Sequence, residues 1–129
     1  MDNKIGDISA NDIAEKDILE LAGLGYLPEE EKSSFYEQML ATIRIWTMDK
    51  VDSSLSSEDQ AILKYILEKD GEENEETEIF LKQRNIDIEQ ITIEESFKYK
   101  VEFLSYAKMI KEAGLTLAQL QKRINQENA

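Results

Sequence analysis

Residues 24–32, Leu24-Gly25-Tyr26-Leu27-Pro28-Glu29-Glu30-Glu31-Lys32, separate the chain's first helical pattern from its longest one. Pro28 is the single proline among 129 residues. Proline is well suited to a helix's first turn, where its missing N–H would have no partner. Three glutamates follow, where the positive end of the helix dipole favours negative charge. A long helix is therefore predicted from Pro28 to about Val51. Around it, at 100° per residue, Phe35, Tyr36, Met39, Leu40, Ile43, Trp46 and Val51 share one wide stripe, as a core face does. Ile45 and Met48 fall on the opposite side and need a second neighbour, inside the fold or in a partner.

Upstream, a first helix near Asn11 to Ala22 carries Ile13, Ile18, Leu19 and Leu21, and Gly23 and Gly25 are read as the left-handed positions that end it. Downstream, Ser57 is read as an N-cap with Gln60 reaching back to it. That third helix runs to about Lys69 and buries Ile62, Leu63, Ile66 and Leu67. Asp70-Gly71 ends it, and the acidic residues 70–76 form a loop leading into a short helix with Ile79, Phe80 and Leu81. Asn85 to Asp87 is the next break, with Asp87 and Gln90 at cap and box spacing. Ile86-Asp-Ile-Glu-Gln-Ile-Thr-Ile alternates as a strand would, but the chain offers no second strand, and a lone strand leaves its backbone donors unsatisfied. The reading is therefore helix.

The fifth helix, about Ile88 to Ala113, carries two apolar stripes. Phe97, Val101 and Leu104 make one; Tyr99, Phe103, Tyr106, Ala107 and Ile110 make the other. Such a helix is either central to a bundle or presents one stripe to a partner. Gly114 closes it, and Thr116 caps a last helix with Gln119 at the box position and Leu117, Leu120 and Ile124 on one side. The phrase Ala113-Gly114-Leu115-Thr116 resembles the start of a helix-turn-helix over one turn and is read as an ordinary helix–Gly–cap junction. The expected fold is all-α: a single domain over residues 1–129, a compact bundle of five to six helices with two long helices and short capped connections. Residues 1–10 are expected to fray, and the packing of the C-terminal helix, 113–129, is left open.

There is no histidine and no cysteine, which removes the commonest general base, the commonest metal ligand and the best nucleophile. The cluster from Asp70 to Glu78 fails the EF-hand spacing, because Ile66 stands where an aspartate is needed. Neither an enzyme nor a bound cofactor or metal is expected. The net charge of −13 is uneven: residues 1–97 hold 9 basic and 25 acidic side chains, and residues 98–129 hold 6 and 3. Nucleic acid is a poor partner for such a surface. No apolar run approaches the roughly 20 residues of a membrane span, and the first twenty residues do not read as a secretory peptide. A cytoplasmic location, away from membranes, is the expectation.

Three phrases taken together, the Leu24–Lys32 junction, the cap Leu55-Ser56-Ser57-Glu58-Asp59-Gln60 and Phe80-Leu81-Lys82 with a distal Glu94-Glu95-Ser96-Phe97-Lys98, resemble a family of small acidic all-helical bacterial proteins of unknown function. That family has an LPEEEK-like helix start and an LSEED-like cap. The resemblance spans about Ile18 to Lys98 and departs at Asn85-Ile86-Asp87, where a proline-containing turn would stand. It implies a helical fold and brings no activity with it. The functional expectation is a non-enzymatic protein-interaction or scaffolding module with Ile45, Met48, Tyr99, Phe103, Tyr106 and Ile110 as its candidate surface, most sharply a homodimer through Tyr99, Phe103, Tyr106 and Ile110. The alternative is an acidic nucleic-acid mimic that blocks a basic protein, with Glu29, Glu30, Glu31, Glu58, Asp59, Glu72, Glu73, Glu75 and Glu76 on one face.

Overall fold

Side-chain caps set the helix ends from the first turn onward. A computed structural model describes residues 4–5, 8–70, 75–112, 114 and 116–127, by backbone alone at 4, 5, 8, 10, 70, 108–111 and 127. Two short strands, β1 (Lys4–Ile5) and β2 (Ile8–Ser9), pair antiparallel with Lys4 opposite Ser9, within the segment expected to fray. Ser9 then caps α1 (Ala10–Glu15), its Oγ accepting the Asp12 amide at 3.2 Å. The single helix expected over 11–22 is two. Asp17 turns its carboxylate onto the Leu19 amide at 3.0 Å and starts α2 (Ile18–Leu21), with Lys16 and Asp17 both extended. A short acidic side chain competing for backbone N–H groups breaks a helix in this way. The chain is all-α as expected, with seven helices among the described residues rather than five or six, and the split at Asp17 supplies the extra one.

Pro28 precedes α3 (Glu29–Ser53), and its carbonyl accepts the Lys32 amide at 3.1 Å. The remaining helices are α4 (Ser57–Asp70), α5 (Glu75–Gln83), α6 (Ile88–Glu112) and α7 (Leu117–Glu127). The strand-like stretch is helical from Ile88, leaving Ile86 and Asp87 in the break. No helix among the described residues is long and apolar enough to cross a membrane. The sequence reading treats 1–129 as one domain; packing divides it into two compact units, residues 1–43 with 95–129, and residues 44–94, with the boundaries inside α3 and α6.

The first unit is built on large side chains removed from water. Ile13, Ile18, Leu19, Leu24, Phe35, Tyr99, Phe103, Leu120 and Ile124 are each almost wholly buried, and each contributes on the order of 1.5–3 kcal/mol of transfer free energy. The rings of Phe35 and Phe103 lie 4.9 Å apart, tilted by 50°. The C-terminal helix belongs to this core. Thr116 and Gln119 make the reciprocal capping box that starts α7, at 3.2 and 2.8 Å. From there Gln121 Nε2 donates to the Phe35 carbonyl at 3.1 Å and to the Tyr99 hydroxyl at 3.4 Å, and Thr42 Oγ1 donates to Asn125 Oδ1 at 3.1 Å.

In the second unit Val51, Leu55, Leu63, Phe80 and Leu81 form the buried cluster, with Met48, Ile66, Leu67, Ile86, Ile88 and Ile91 packed partly against it. Two side chains assigned to the core by periodicity are not in it. Leu40 and Ile62 are exposed, since sharing an apolar stripe does not ensure that another element packs over every part of it.

Candidate functional site: apolar grooves on residues 44–94

The grooves exist because three tight connections hold short helices at fixed positions. At the α3–α4 turn, Ser53 and Ser54 hydroxyls both donate to the Lys50 carbonyl at 2.9 Å. The Asp59 amide donates to Ser56 Oγ at 3.1 Å, so Ser56 and not Ser57 is the cap of α4. Gln60 serves neither as expected. Its amide nitrogen turns back to the carbonyls of Asp52, at 2.6 Å, and Leu55, and so ties the start of α4 to the end of α3 and the turn that follows it.

Arg84 fastens α5 to α4. Its guanidinium lies 3.6 Å from the Phe80 ring centroid, donates to the Phe80 carbonyl at 3.0 Å and grips both carboxylate oxygens of Asp59. Hydrogen bonding from Arg84 holds the Asp59 carboxyl below its ordinary range. The end of α5 is a Schellman turn: Asn85 has φ 60°, its amide bonds the Lys82 carbonyl, and the Ile86 amide returns to the Leu81 carbonyl. Asp87 then caps α6 through the Gln90 amide at 3.2 Å, as its spacing predicted.

These connections leave two openings. Between α3 and α4 lies a groove of about 670 Å³ with Met48, Leu63 and Leu67 as its apolar wall and Asp52, Lys64 and Glu68 at its rim. Between α5 and the first turns of α6 lie two adjoining hollows, about 530 and 440 Å³, that share Glu78, Leu81, Ile88 and Glu89. Leu81 is fully buried at their base, Ile88 is half-buried, and Ile93, at one end, is 62% exposed.

The residues singled out from the sequence do not form one surface. Tyr99 and Phe103 stand 1% and 0% exposed inside the first unit, so they are core and cannot be a docking stripe or a dimer contact. Tyr106 is half-buried, and Ile110 has its side chain outside the described residues. Met48 finds its second neighbour within the fold, against the Val51–Leu81 cluster, and lines the α3–α4 groove. Ile45, three residues before it on the same face of α3, remains 60% exposed. Of the acids proposed for a nucleic-acid mimic, Asp59 is committed to Arg84, and Glu72 and Glu73 lie outside the described residues.

The sequence reading missed Leu67, Ile88, Ile93, Glu78 and Glu89 as groove residues. The signal was present in the strand-like alternation of 86–93: wound into a helix, it spreads isoleucines around α6, so that Ile88 and Ile91 reach the cluster and Ile93 faces outward.

Among the described residues, the titratable groups with shifted pKa values move away from neutrality. Asp12 is lowered by Lys16 and Ser9, and Asp59 by Arg84; Tyr36 is raised by burial and by its hydrogen bond to Asp17, and Tyr99 by burial. Among the described residues no three acidic side chains gather as a metal site. No family model, curated protein or solved structure matches the chain.

Proposed function

We propose that this chain is a non-enzymatic protein-interaction module whose 44–94 unit takes up an amphipathic segment of another protein. One observation carries the reading: the groove between α5 and α6 opens directly onto the apolar cluster, with Leu81 at its base and Ile93 exposed at its edge. An apolar trough beside a helix accommodates side chains spaced at i, i+3 or i+4 and i+7. The α3–α4 groove, walled by Met48, Leu63 and Leu67, offers a second apolar opening on the same unit.

The test is selection from a displayed library of helical peptides unbiased in charge, using the full chain as bait. Selected peptides should carry an apolar stripe and lose about tenfold or more in affinity against Ile93→Asp or Met48→Asp, as removal of a central contact does. Circular dichroism checks that each variant stays helical. Failure to select any binder, or binders indifferent to both substitutions, overturns the proposal.

A further inference from the structure

We infer that the occupant of the α5–α6 groove is a basic amphipathic helix from another protein, its apolar stripe flanked by lysine or arginine. The inference rests on the interaction reading above and names the partner's chemistry. Glu78, Asp87 and Glu89 line the hollows against a single cation, Lys82. An apolar helix flanked by cations would bury its stripe against Leu81 and Ile88 while pairing its flanks with these carboxylates. A helix flanked by carboxylates would bring like charges together at the same distance.

The wider field acts in the same direction. Residues 44–94 hold 14 acidic and 6 basic side chains, net −8, and the Arg84–Asp59 pair takes one of each and leaves that balance unchanged. Such a field draws cationic segments in and repels polyanions. A second copy of this chain is a poor occupant. Its own basic amphipathic helix is α7, with Lys122 and Arg123 exposed, but the apolar anchors of that helix, Leu120 and Ile124, are 0% exposed inside the first unit. They cannot serve the core and a groove at once.

The experiment uses the full chain and two synthetic amphipathic peptides that share one leucine stripe, one flanked by lysine and the other by glutamate. Binding is followed by fluorescence anisotropy at low and at moderate salt, and the site is mapped by amide NMR shifts. The lysine peptide should bind at least about tenfold tighter than the glutamate peptide and weaken as salt is raised. Shifts should centre on Leu81, Ile88, Thr92 and Ile93. The double variant Glu78→Gln/Glu89→Gln should weaken the lysine peptide by about tenfold while its circular dichroism spectrum shows the helical fold retained.

Equal binding of both peptides, or lysine-peptide binding untouched by Glu78→Gln/Glu89→Gln, overturns the inference. Self-association of the free protein that Ile93→Asp abolishes would give the groove to a second copy and overturn it equally. If display selection yields Ile93-dependent peptides that are neutral or acidic, this inference fails while the interaction reading stands. If nothing binds in an Ile93-dependent way, both fail.

Discussion

Arg84 meets Asp59 through one hydrogen bond, Nη2 to Oδ1 at 3.0 Å, with Nε 3.0 Å from Oδ2 as an ion-pair contact outside hydrogen-bond geometry, while the same guanidinium covers the face of Phe80. A charge-assisted hydrogen bond of this kind is stronger than a neutral one. Here it joins the first turn of α4 to the end of α5, and so holds one wall of the α5–α6 groove in place.

That clasp makes part of the stability acid-sensitive. Because the folded-state pKa of Asp59 is lowered, its contribution is complete above the unfolded value, about 3.9, and is lost as pH falls through the folded value. Asp59→Asn should melt a few degrees below the wild type at neutral pH, with the gap closing below about pH 4. Thermal melts across pH decide it; a gap that does not change with pH would show that the pair acts through packing alone.

Gln121 ties α7 to two other helices through one amide nitrogen, bonded to the Phe35 carbonyl and the Tyr99 hydroxyl. Gln121→Leu keeps the volume and removes both bonds, leaving polar atoms in a buried site. The expected loss is about 1–3 kcal/mol, read from urea denaturation. Tyr99→Phe should cost less, and the two changes together less than their sum, since they share a contact. Strict additivity would mean that the bond at 3.4 Å couples nothing.

Helix starts and stops were the most legible part of this chain, because capping chemistry is local. Pro28, Asp87 and the Thr116–Gln119 pair all act where their spacing placed them. Two readings failed locally, at Asp17, which breaks the first helix, and at Ser56, which caps α4 in place of Ser57; the others needed tertiary knowledge. At 56–60 Ser56, Ser57, Asp59 and Gln60 all carry side chains able to cap, and the Gln60 amide is settled by the Asp52 carbonyl, which local spacing does not reveal. The two stripes of α6 were visible, but periodicity does not say which one a fold covers; Tyr99 and Phe103 are covered because α3 and α7 bring Phe35 and Gln121 to them. The groove was hidden for the same reason, being a gap between elements and not a property of any one of them.

Gly23 and Gly25 separate a backbone requirement from a coincidence of spacing. Gly23 has φ 76° and closes α2 by a Schellman turn, with the Leu24 amide on the Leu19 carbonyl at 2.8 Å; Gly25 is not in the left-handed region. Gly23→Ala should therefore cost about 1–2 kcal/mol. At Gly25 the nearest atoms to a new Cβ all belong to the Glu20 side chain, Oε1 at 3.0 Å and Cδ at 3.4 Å, and that exposed side chain can swing away. Gly25→Ala should stay within about 0.5 kcal/mol of the wild type. Equal losses at the two sites, measured by urea midpoint, would contradict this assignment.

Asn85 sets the direction of the chain where α5 hands over to the groove's other wall. With φ 60° it is the left-handed C′ residue that lets the Ile86 amide return to Leu81 at 2.9 Å, which returns Ile86 to the apolar cluster and starts α6 one residue after Asp87. Asparagine tolerates this conformation better than other residues with a side chain, and glycine adopts it without penalty. Asn85→Gly should hold or slightly raise stability, Asn85→Ala should lose about 1 kcal/mol, and Asn85→Val should lose more because a β-branched side chain is least compatible with positive φ. Denaturant midpoints for the three variants test that order. If alanine matched asparagine, the turn would have relaxed to another conformation, and Ile88 and Glu89 would no longer stand opposite Leu81 and Glu78.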